Sequence, residues 1–346
     1  MRSGFLGRRV IQFHPTLARN RRCRHCYSGS GPEKRGGLAA EEVLPFFAAM
    51  REEGYETVSF SGGEPLLYRP LLAVTDALLA MGYRVNLTTN GLLLRGRLLE
   101  ALAPRIGVVA VSIDGPPELH DRLRARNGAF ARAEAALDRL REAGLAFGVI
   151  HTVTRAGMPH LPWLADFACE KGASLLQLHP LDPTGRGAEV EAELGLDEEA
   201  RARLYLLGRL FEDRLPGRVA VQVDLHPRSA LCAAADAYRL LDPGHADGLA
   251  AGTPLSEVVN PLIVTERGEA VPFVYGLAPD FTLARPAGDW RADLRRFRGK
   301  GAVRLRRFLA ACFAELARSS ERFVDWYAFL AGRAARTAPA HTVAVS

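Results

Sequence analysis

Two cysteines, Cys23 and Cys26, stand three positions apart in a segment that is rich in arginine. Thiols at this spacing can hold one metal ion or one cluster from a single turn of the chain, and the neighbouring Arg21, Arg22 and Arg24 favour the thiolate form. The pair alone is compatible with a redox dithiol, half of a zinc site or part of an iron–sulfur ligand set. The chain has five cysteines in 346 residues, an odd number that argues for metal or redox chemistry rather than a disulfide framework.

Polar segments marked by glycine also follow the next three apolar runs of the chain. They read Gly62-Gly63-Glu64, Thr88-Thr89-Asn90-Gly91 and Ser112-Ile113-Asp114-Gly115. Two consecutive glycines let a ligand approach the backbone closely, and Glu64 beside them could pair with an ammonium group. Asp114 could hold a ribose hydroxyl. Each segment taken alone is also compatible with an ordinary turn.

Short β-forming runs alternate with amphipathic helical segments from residue 8 to about residue 225. Six such repeats are present, with helices predicted near 70–81, 95–103 and 160–171. Apolar strands separated by helices predict a parallel sheet buried on both faces, as an open doubly wound sheet or as an incomplete β/α barrel. In both architectures the segments that follow the strands meet at one edge of the sheet.

A boundary is predicted within residues 226–260, where prolines and glycines punctuate the chain. We divide the chain into a β/α domain over residues 1–228 and a small C-terminal α+β extension over residues 229–346. The extension ends in helical sequence whose apolar stripe includes Cys312. Cys312 is therefore predicted to be a core residue.

Four motifs, in this order and at these distances, resemble the radical S-adenosylmethionine (SAM) enzymes, most closely the branch with SPASM-type peptide and cofactor maturases. They are Cys23-x-x-Cys26-Tyr27, Ser61-Gly62-Gly63-Glu64-Pro65-Leu66-Leu67, Thr88-Thr89-Asn90-Gly91 and Ser112-Ile113-Asp114-Gly115. The stretches His120 to Phe130 and Leu178 to Arg186 resemble that branch too. The resemblance covers about residues 8–190 and is weaker to about residue 290.

This resemblance implies a partial β/α barrel, usually of six units, which holds a [4Fe–4S] cluster and SAM. Reduction of SAM gives methionine and a 5′-deoxyadenosyl radical that abstracts a hydrogen atom from the substrate. By the same resemblance, Cys23 and Cys26 match two of the three cysteines that ligate the cluster. The implied SAM-side residues are His25 beside the adenine, Gly62, Gly63 and Glu64 at the methionine ammonium, and Ser112 and Asp114 near the ribose.

The first cluster ligand of this family pattern is missing. Arg19 stands four residues before Cys23, and a guanidinium does not ligate iron. A cubane needs one ligand for each iron that it anchors, so one further protein ligand would be required. The candidates for it are His14, Cys169 and Cys232, none of which matches a family position. Otherwise the site holds a labile cluster, a smaller iron–sulfur unit, zinc or nothing.

The C-terminal region also departs from the pattern, because Phe273 follows Pro272 where a cysteine is common in SPASM-type regions. No auxiliary cluster is therefore predicted.

Two functions are compatible with these motifs. The first is a radical SAM enzyme that abstracts hydrogen from a peptide or a cofactor precursor, with an electron donor such as flavodoxin or ferredoxin. The second is a degenerate radical SAM-fold protein that binds SAM, a peptide or a partner without radical chemistry. A thiol oxidoreductase is disfavoured, because thioredoxin-like Cys-x-x-Cys motifs open a helix in a shorter fold.

Composition and charge narrow the setting. With 48% hydrophobic and 24% charged residues, the chain resembles ordinary globular proteins. Residues 285–346 hold 13 Lys or Arg against 5 Asp or Glu, which suits a solvated helical face or an acidic partner, and a nucleic-acid partner is not expected. We expect no membrane span, since no apolar run approaches ~20 residues. The basic start lacks a hydrophobic signal core, so a cytoplasmic location is expected.

Overall fold

The computed structural model describes residues 9–215, 217–235, 238–277 and 279–337. Seven strands that follow one another in the chain form its central sheet. They are β1 Val10–Phe13, β2 Thr57–Phe60, β3 Arg84–Thr89, β4 Val108–Ser112, β5 Phe147–Val153, β6 Leu175–Pro180 and β7 Ala220–Val223. The six predicted repeats supply β1 to β6. The sequence pattern did not predict β7, a four-residue strand whose side chains are only partly buried.

Each of these seven strands pairs in parallel with its neighbour in the chain. The register runs, for example, from Val10 opposite Thr57 to Leu175 opposite Ala220. On the other side of β1, strand β9 (Leu262–Val264) is also parallel, and β10 (Ala270–Pro272) pairs with β9 in the antiparallel sense. This order confirms the predicted α/β class with a partial barrel, because β10 and β7 lie at the two ends of the sheet.

Helices connect the successive strands, as the alternating pattern predicts. They are α1 Ala40–Glu52, α2 Leu71–Ala80, α3 Gly96–Leu102, α4 Pro117–Leu123, α5 Ala129–Glu142, α6 Leu161–Lys171, α7 Arg186–Leu194 and α8 Glu198–Arg214. The buried face of α1 shows how they pack. Val43, Phe46, Phe47 and Met50 recur at helical spacing and are fully buried. Phe47 meets Phe13 of β1 edge-on, with ring centroids 5.1 Å apart, so α1 packs directly on the first strand.

The C-terminal region joins the same sheet through β9. Its other elements are β8 His226–Pro227, α9 Arg228–Ala233, α10 Leu255–Val258, α11 Trp290–Arg296, α12 Ala302–Arg318, β11 Phe323–Val324 and α13 Trp326–Thr337. Cys312 of α12 is fully buried, which confirms it as a core residue. The domain division at residue 228 stays a prediction. Among the described helices, none has the length and apolarity needed to cross a membrane, and the basic start at residues 1–8 lies outside the described part.

Candidate functional site

A cavity of about 390 Å³ opens where the parallel strands end. Its wall brings together six of the eight residues that the sequence predicts for the site. They are Cys23, Cys26, His25, Gly62, Gly63 and Ser112. Side chains from inside the barrel extend the same wall, so the interior is partly polar. These are Gln12, Ser59, Gln177 and Gln222. The carboxyl edge of the sheet is thus where the loops after β1 and β2 meet the end of β4, as parallel topology requires.

The loop that carries both cysteines is held by Arg186 at the start of α7. Its Nε donates to the Cys23 carbonyl at 2.9 Å, its Nη2 donates to the Ser30 carbonyl at 2.8 Å, and its backbone nitrogen donates to the Cys26 carbonyl. Gly185 lets the chain come this close. It has a φ of +53°, and a Cβ there would lie 2.4 Å from the Tyr27 carbonyl oxygen. The sequence drew attention to the stretch Leu178 to Arg186, but its spacing did not indicate that Gly185 and Arg186 hold the cysteine loop in place.

The Cys26 thiol lies in a buried, cation-bearing environment. Its Sγ is 3.8 Å from Arg19 Nη1 and within 3.5 Å of the hydroxyls of Ser28 and Ser30. Burial alone would raise the pKa of Cys26, but the Arg19 charge and the two hydroxyls outweigh it and lower the pKa to about 6. At neutral pH this side chain is therefore mainly a thiolate, the form that ligates metals.

Arg19, four residues before Cys23, lies against the Cys26 thiol. Burial alone would lower the pKa of its guanidinium, but the charges of Cys23 and Cys26 raise it above its ordinary value. The group therefore stays cationic and supplies hydrogen-bond donors but no lone pair. Within the described ranges, no group of three or more His, Cys, Asp or Glu side chains could hold a metal ion.

Cys23 belongs to a second buried charge network. Arg124 Nη1 lies 3.9 Å from Cys23 Sγ, and Arg124 Nε donates to Asp114 Oδ2. His25 Nε2 lies 3.3 Å from the same carboxylate oxygen. Burial would raise the pKa of Asp114, but Arg124 and then His25 hold it well below its usual range. Burial also lowers the pKa of His25, so its imidazole is neutral at neutral pH.

The remaining two predicted residues, Glu64 and Asp114, do not line the cavity. Both are completely buried behind its wall. The Glu64 carboxylate accepts hydrogen bonds from the Thr89 hydroxyl at 2.6 Å and the Asn90 backbone nitrogen at 3.1 Å. Burial raises the pKa of Glu64 despite these donors. Glu64 and Asp114 thus lie in the predicted region, but their carboxylates bind neighbouring protein groups and do not face the cavity.

Gly63 joins the glycine turn to the cysteine loop. Its nitrogen donates to the Thr16 carbonyl at 3.0 Å, and a Cβ at this position would lie 2.5 Å from the Ala18 carbonyl oxygen. The close approach that the double glycine permits is therefore an approach between two protein loops.

We expect Gly63→Ala to lower the free energy of unfolding by about 1–3 kcal/mol, because backbone on the opposing loop must move to admit the methyl group. Urea unfolding of this variant and of Gly244→Ala would measure the effect. Gly244 has no atom within 4 Å of an added Cβ and serves as the matched control. Equal stability of the two variants would contradict the close packing of these loops.

The other candidate ligands of the sequence analysis lie in different places. His14 lines the cavity, is 1% exposed, and has neither ring nitrogen bonded to a described residue. Burial lowers its pKa to about 3, so the ring is neutral. Its centroid lies 5.1 Å from that of Tyr275. Cys169 and Cys232 are half-buried against the hydrophobic core and lie outside the cavity wall, whereas Phe273 is part of that wall.

Three carboxylates on the cavity wall were not found from the sequence. Asp182, Asp224 and Asp325 come from segments far apart in the chain, so no local spacing signals them. Burial, together with the charges of Asp224 and Asp182, raises the pKa of Asp325 to about 7. Burial also raises the pKa of Asp182. This part of the cavity is suited to a ligand with positive charge or hydrogen-bond donors.

Asp325→Asn is expected to stabilise the protein above pH about 7, by on the order of 2 kcal/mol. An acid with a raised folded-state pKa contributes stability at low pH that is lost as pH rises through about 7. The asparagine removes this loss, and its amide oxygen can still accept from the Ala328 nitrogen. Thermal unfolding at pH 5 and pH 8 would test it, with the exposed Asp166→Asn as control. A gain that is equal at both pH values would contradict the assignment.

Comparison with known proteins gives a consistent result. Residues 20–163 match the radical SAM superfamily. The chain is 33% identical over 194 residues to an AdoMet-dependent heme synthase of Methanosarcina barkeri, covering 55% of this chain and 56% of that protein. It is 32% identical over 193 residues to the mycofactocin maturase MftC of Mycobacterium tuberculosis, covering 55% and 49%. The chain spans about half the length of these curated relatives.

Solved structures share the fold over most of the chain. SuiB of Streptococcus suis bound to S-adenosylmethionine matches with a TM-score of 0.64 and 14% identity, covering 87% of this chain and 68% of that one. The protein anSMEcpe with bound AdoMet and a peptide matches with a TM-score of 0.63 and 18% identity, covering 93% and 88%. At these identities the two structures show a shared fold.

Proposed function

We propose that this chain, whose residues 20–163 match the radical SAM superfamily, is a SAM-dependent enzyme that modifies a peptide or a cofactor precursor in the cavity. One observation carries this proposal: the thiols of Cys23 and Cys26 and the turn at Gly62 and Gly63 line the same cavity at the carboxyl edge of the sheet. Two relatives are named as a synthase and a maturase, and one structural neighbour was solved with AdoMet and a peptide. These names support SAM as one ligand and a peptide or a cofactor precursor as the other.

We assign SAM to the part of the cavity formed by the first two loops. His25 offers a neutral ring whose Nδ1 is buried and has no partner among the described residues, and its Nε2 is oriented by Asp114. An imidazole held in this way can pack against the adenine. We assign the amino-acid part of SAM to the backbone at Gly62 and Gly63. The buried Glu64 carboxylate anchors this turn through its hydrogen bonds with Thr89 and Asn90. We assign the ribose to Ser112, which lines the same cavity.

We assign the substrate to the acidic part of the cavity. Asp182, Asp224 and Asp325 line it together with His179 and Gln177. Carboxylates favour a substrate that carries an amine, a guanidinium or several hydrogen-bond donors. A peptide with a basic side chain therefore fits this wall better than an acidic peptide does.

The residues present do not complete the usual site for a [4Fe–4S] cluster. In this superfamily the bound cluster supplies the electron that cleaves SAM. The two thiols of Cys23 and Cys26 fit two of its ligand positions, but the third is taken by the Arg19 guanidinium, which cannot bind iron. We therefore assign to this chain the binding and positioning of SAM and substrate, and no step to the cluster.

The contact between Arg19 and Cys26 also favours a second function. Arg19 lies 3.8 Å from Cys26 and Arg124 lies 3.9 Å from Cys23, so protein cations alone can compensate negative charge at the two sulfurs. Such a site suits a protein that binds SAM, a peptide or a partner without radical chemistry.

The experiment that separates these functions is anaerobic reconstitution with iron and sulfide, followed by SAM and a strong reductant. Formation of 5′-deoxyadenosine that disappears in Cys23→Ser but persists in Cys169→Ser would support the enzyme, since Cys169 lies outside the cavity. SAM binding without 5′-deoxyadenosine would support the second function. The absence of SAM binding would contradict the enzyme and would restrict the second function to the binding of a peptide or a partner.

A further inference from the structure

A second pocket lies beside the cysteine loop and shares no lining residue with the first cavity. Its volume is about 440 Å³, within the size range of small-molecule sites. Five of its ten lining residues are arginines, and none is acidic. We call it the arginine pocket, after Arg21, Arg95, Arg126, Arg132 and Arg139. Apolar side chains, among them Leu92 and Leu93, complete the wall.

These arginines are brought together from separate elements. Arg21 belongs to the loop after β1, Arg95 directly precedes α3, and Arg126 lies in the turn between α4 and α5. Arg132 and Arg139 are seven residues apart on α5, which places them on one face of that helix. The fold therefore gathers five like charges from four segments that share no sequence motif.

The charges in the arginine pocket are not compensated within the described chain. None of the five arginines forms an ion pair with any acidic residue that the structure describes, although many other arginines do, such as Arg24 with Glu193. Like charges crowded in this way repel one another, so the arrangement destabilises the protein unless an anion binds.

Arg21 gives the clearest sign of a missing ligand. It is only 3% exposed, it lines the arginine pocket, and all three of its guanidinium nitrogens have no partner among the described residues. A guanidinium stays charged in proteins, so Arg21 is a buried cation. A buried cation with unmade hydrogen bonds is costly, and an anion with several oxygen acceptors would remove that cost.

We propose that the arginine pocket binds a small anion that carries a phosphate or pyrophosphate group. Guanidinium groups pair with phosphate oxygens through two parallel hydrogen bonds, and several arginines suit a multiply charged group better than a single carboxylate. The occupant is a small molecule rather than a protein surface, because the buried guanidinium of Arg21 can be reached only by a group that enters the pocket. Arg21 stands two residues before Cys23, so the anion would also fix the cysteine loop.

The test is calorimetric titration of the full chain with inorganic pyrophosphate and, separately, with ADP. We expect saturable binding at one site per chain that weakens with added salt. The double variant Arg126→Gln/Arg132→Gln should weaken it by about tenfold or more. The matched control Arg69→Gln/Arg122→Gln removes two exposed charges outside the pocket and should leave affinity within about twofold.

The two probes also distinguish the source of the phosphate. Tighter binding of ADP than of pyrophosphate would support a nucleotide that uses the apolar wall, and equal or weaker binding would support a free phosphate compound. Absence of binding of either probe up to about 1 mM would overturn the proposal. Equal weakening in both double variants would overturn it as well. Binding of polyglutamate instead of pyrophosphate and ADP would also overturn it, because this result would indicate an acidic protein partner. None of these outcomes depends on SAM binding in the first cavity.

Discussion

Arg19→Cys is expected to raise the iron content of the anaerobically reconstituted protein to about four irons per chain, above that of the wild type. The substitution supplies a third thiol four residues before Cys23, the spacing that the resemblance to radical SAM enzymes implies, and removes the buried guanidinium that now lies 3.8 Å from Cys26. Iron and sulfide analysis, with electron paramagnetic resonance of the reduced protein before and after addition of SAM, would measure the change. The SAM-dependent change in the spectrum should be stronger in the variant.

Arg19→Ser provides the control for this prediction, since it removes the same guanidinium without adding a thiol. We expect it to gain no iron relative to the wild type. A wild-type protein that already holds four irons per chain, with a spectrum that SAM perturbs, would contradict the proposal that Arg19 breaks the ligand set. Equal iron uptake by the serine and cysteine variants would show that the charge, rather than the missing ligand, limits assembly.

Arg124→Leu should lower the free energy of unfolding by about 3–5 kcal/mol at neutral pH. Arg124 is 4% exposed and Asp114 is completely buried, so removal of the cation leaves a buried carboxylate with only the neutral His25 ring and the Thr152 nitrogen as partners. The variant also loses the contact with Cys23. Urea unfolding would measure the loss, with Arg203→Leu as the control. The Arg203–Glu199 pair is mostly exposed on both sides, so the control should cost less than about 1 kcal/mol.

The pH dependence of this effect follows from Asp114. Burial opposes its ionisation, but Arg124 and His25 hold its pKa well below the usual range, so the pair contributes stability above the unfolded-state pKa of about 4. That contribution is lost as pH falls through the folded-state pKa. The difference between wild type and Arg124→Leu should therefore narrow at acidic pH. A difference that is constant from neutral to acidic pH would contradict the assignment.

Much of the fold could be predicted from the sequence because each strand that was found is a short apolar run between amphipathic helices. The rule that parallel strands end at one edge then placed Cys23, Cys26 and Gly62 beside one cavity. Strand β7 was not predicted, although it includes the apolar residues Ala220, Val221 and Val223, and its side chains are half-buried or exposed. Helix α7 was not predicted either, although the sequence analysis identified the stretch Leu178 to Arg186 directly before it.

The orientation of the site residues could not be predicted in the same way. Whether Glu64 faces a ligand or the protein depends on Thr89 and Asn90, which lie 25 and 26 positions away along the chain. Asp114 likewise turns toward Arg124 because of a contact that only the folded chain creates. The acidic wall and the arginine pocket depend on residues from distant segments, and no local spacing signals such groups.

The assignment of SAM to the first cavity is tested most directly by equilibrium dialysis of SAM against the purified chain. We predict one SAM per chain, with affinity reduced about tenfold or more by His25→Leu, which removes the ring assigned to the adenine. The same change at His160, which lies outside the cavity wall, should leave the affinity unchanged. Failure of the wild type to retain SAM, or an equal loss in both variants, would contradict the claim that this cavity is a SAM site.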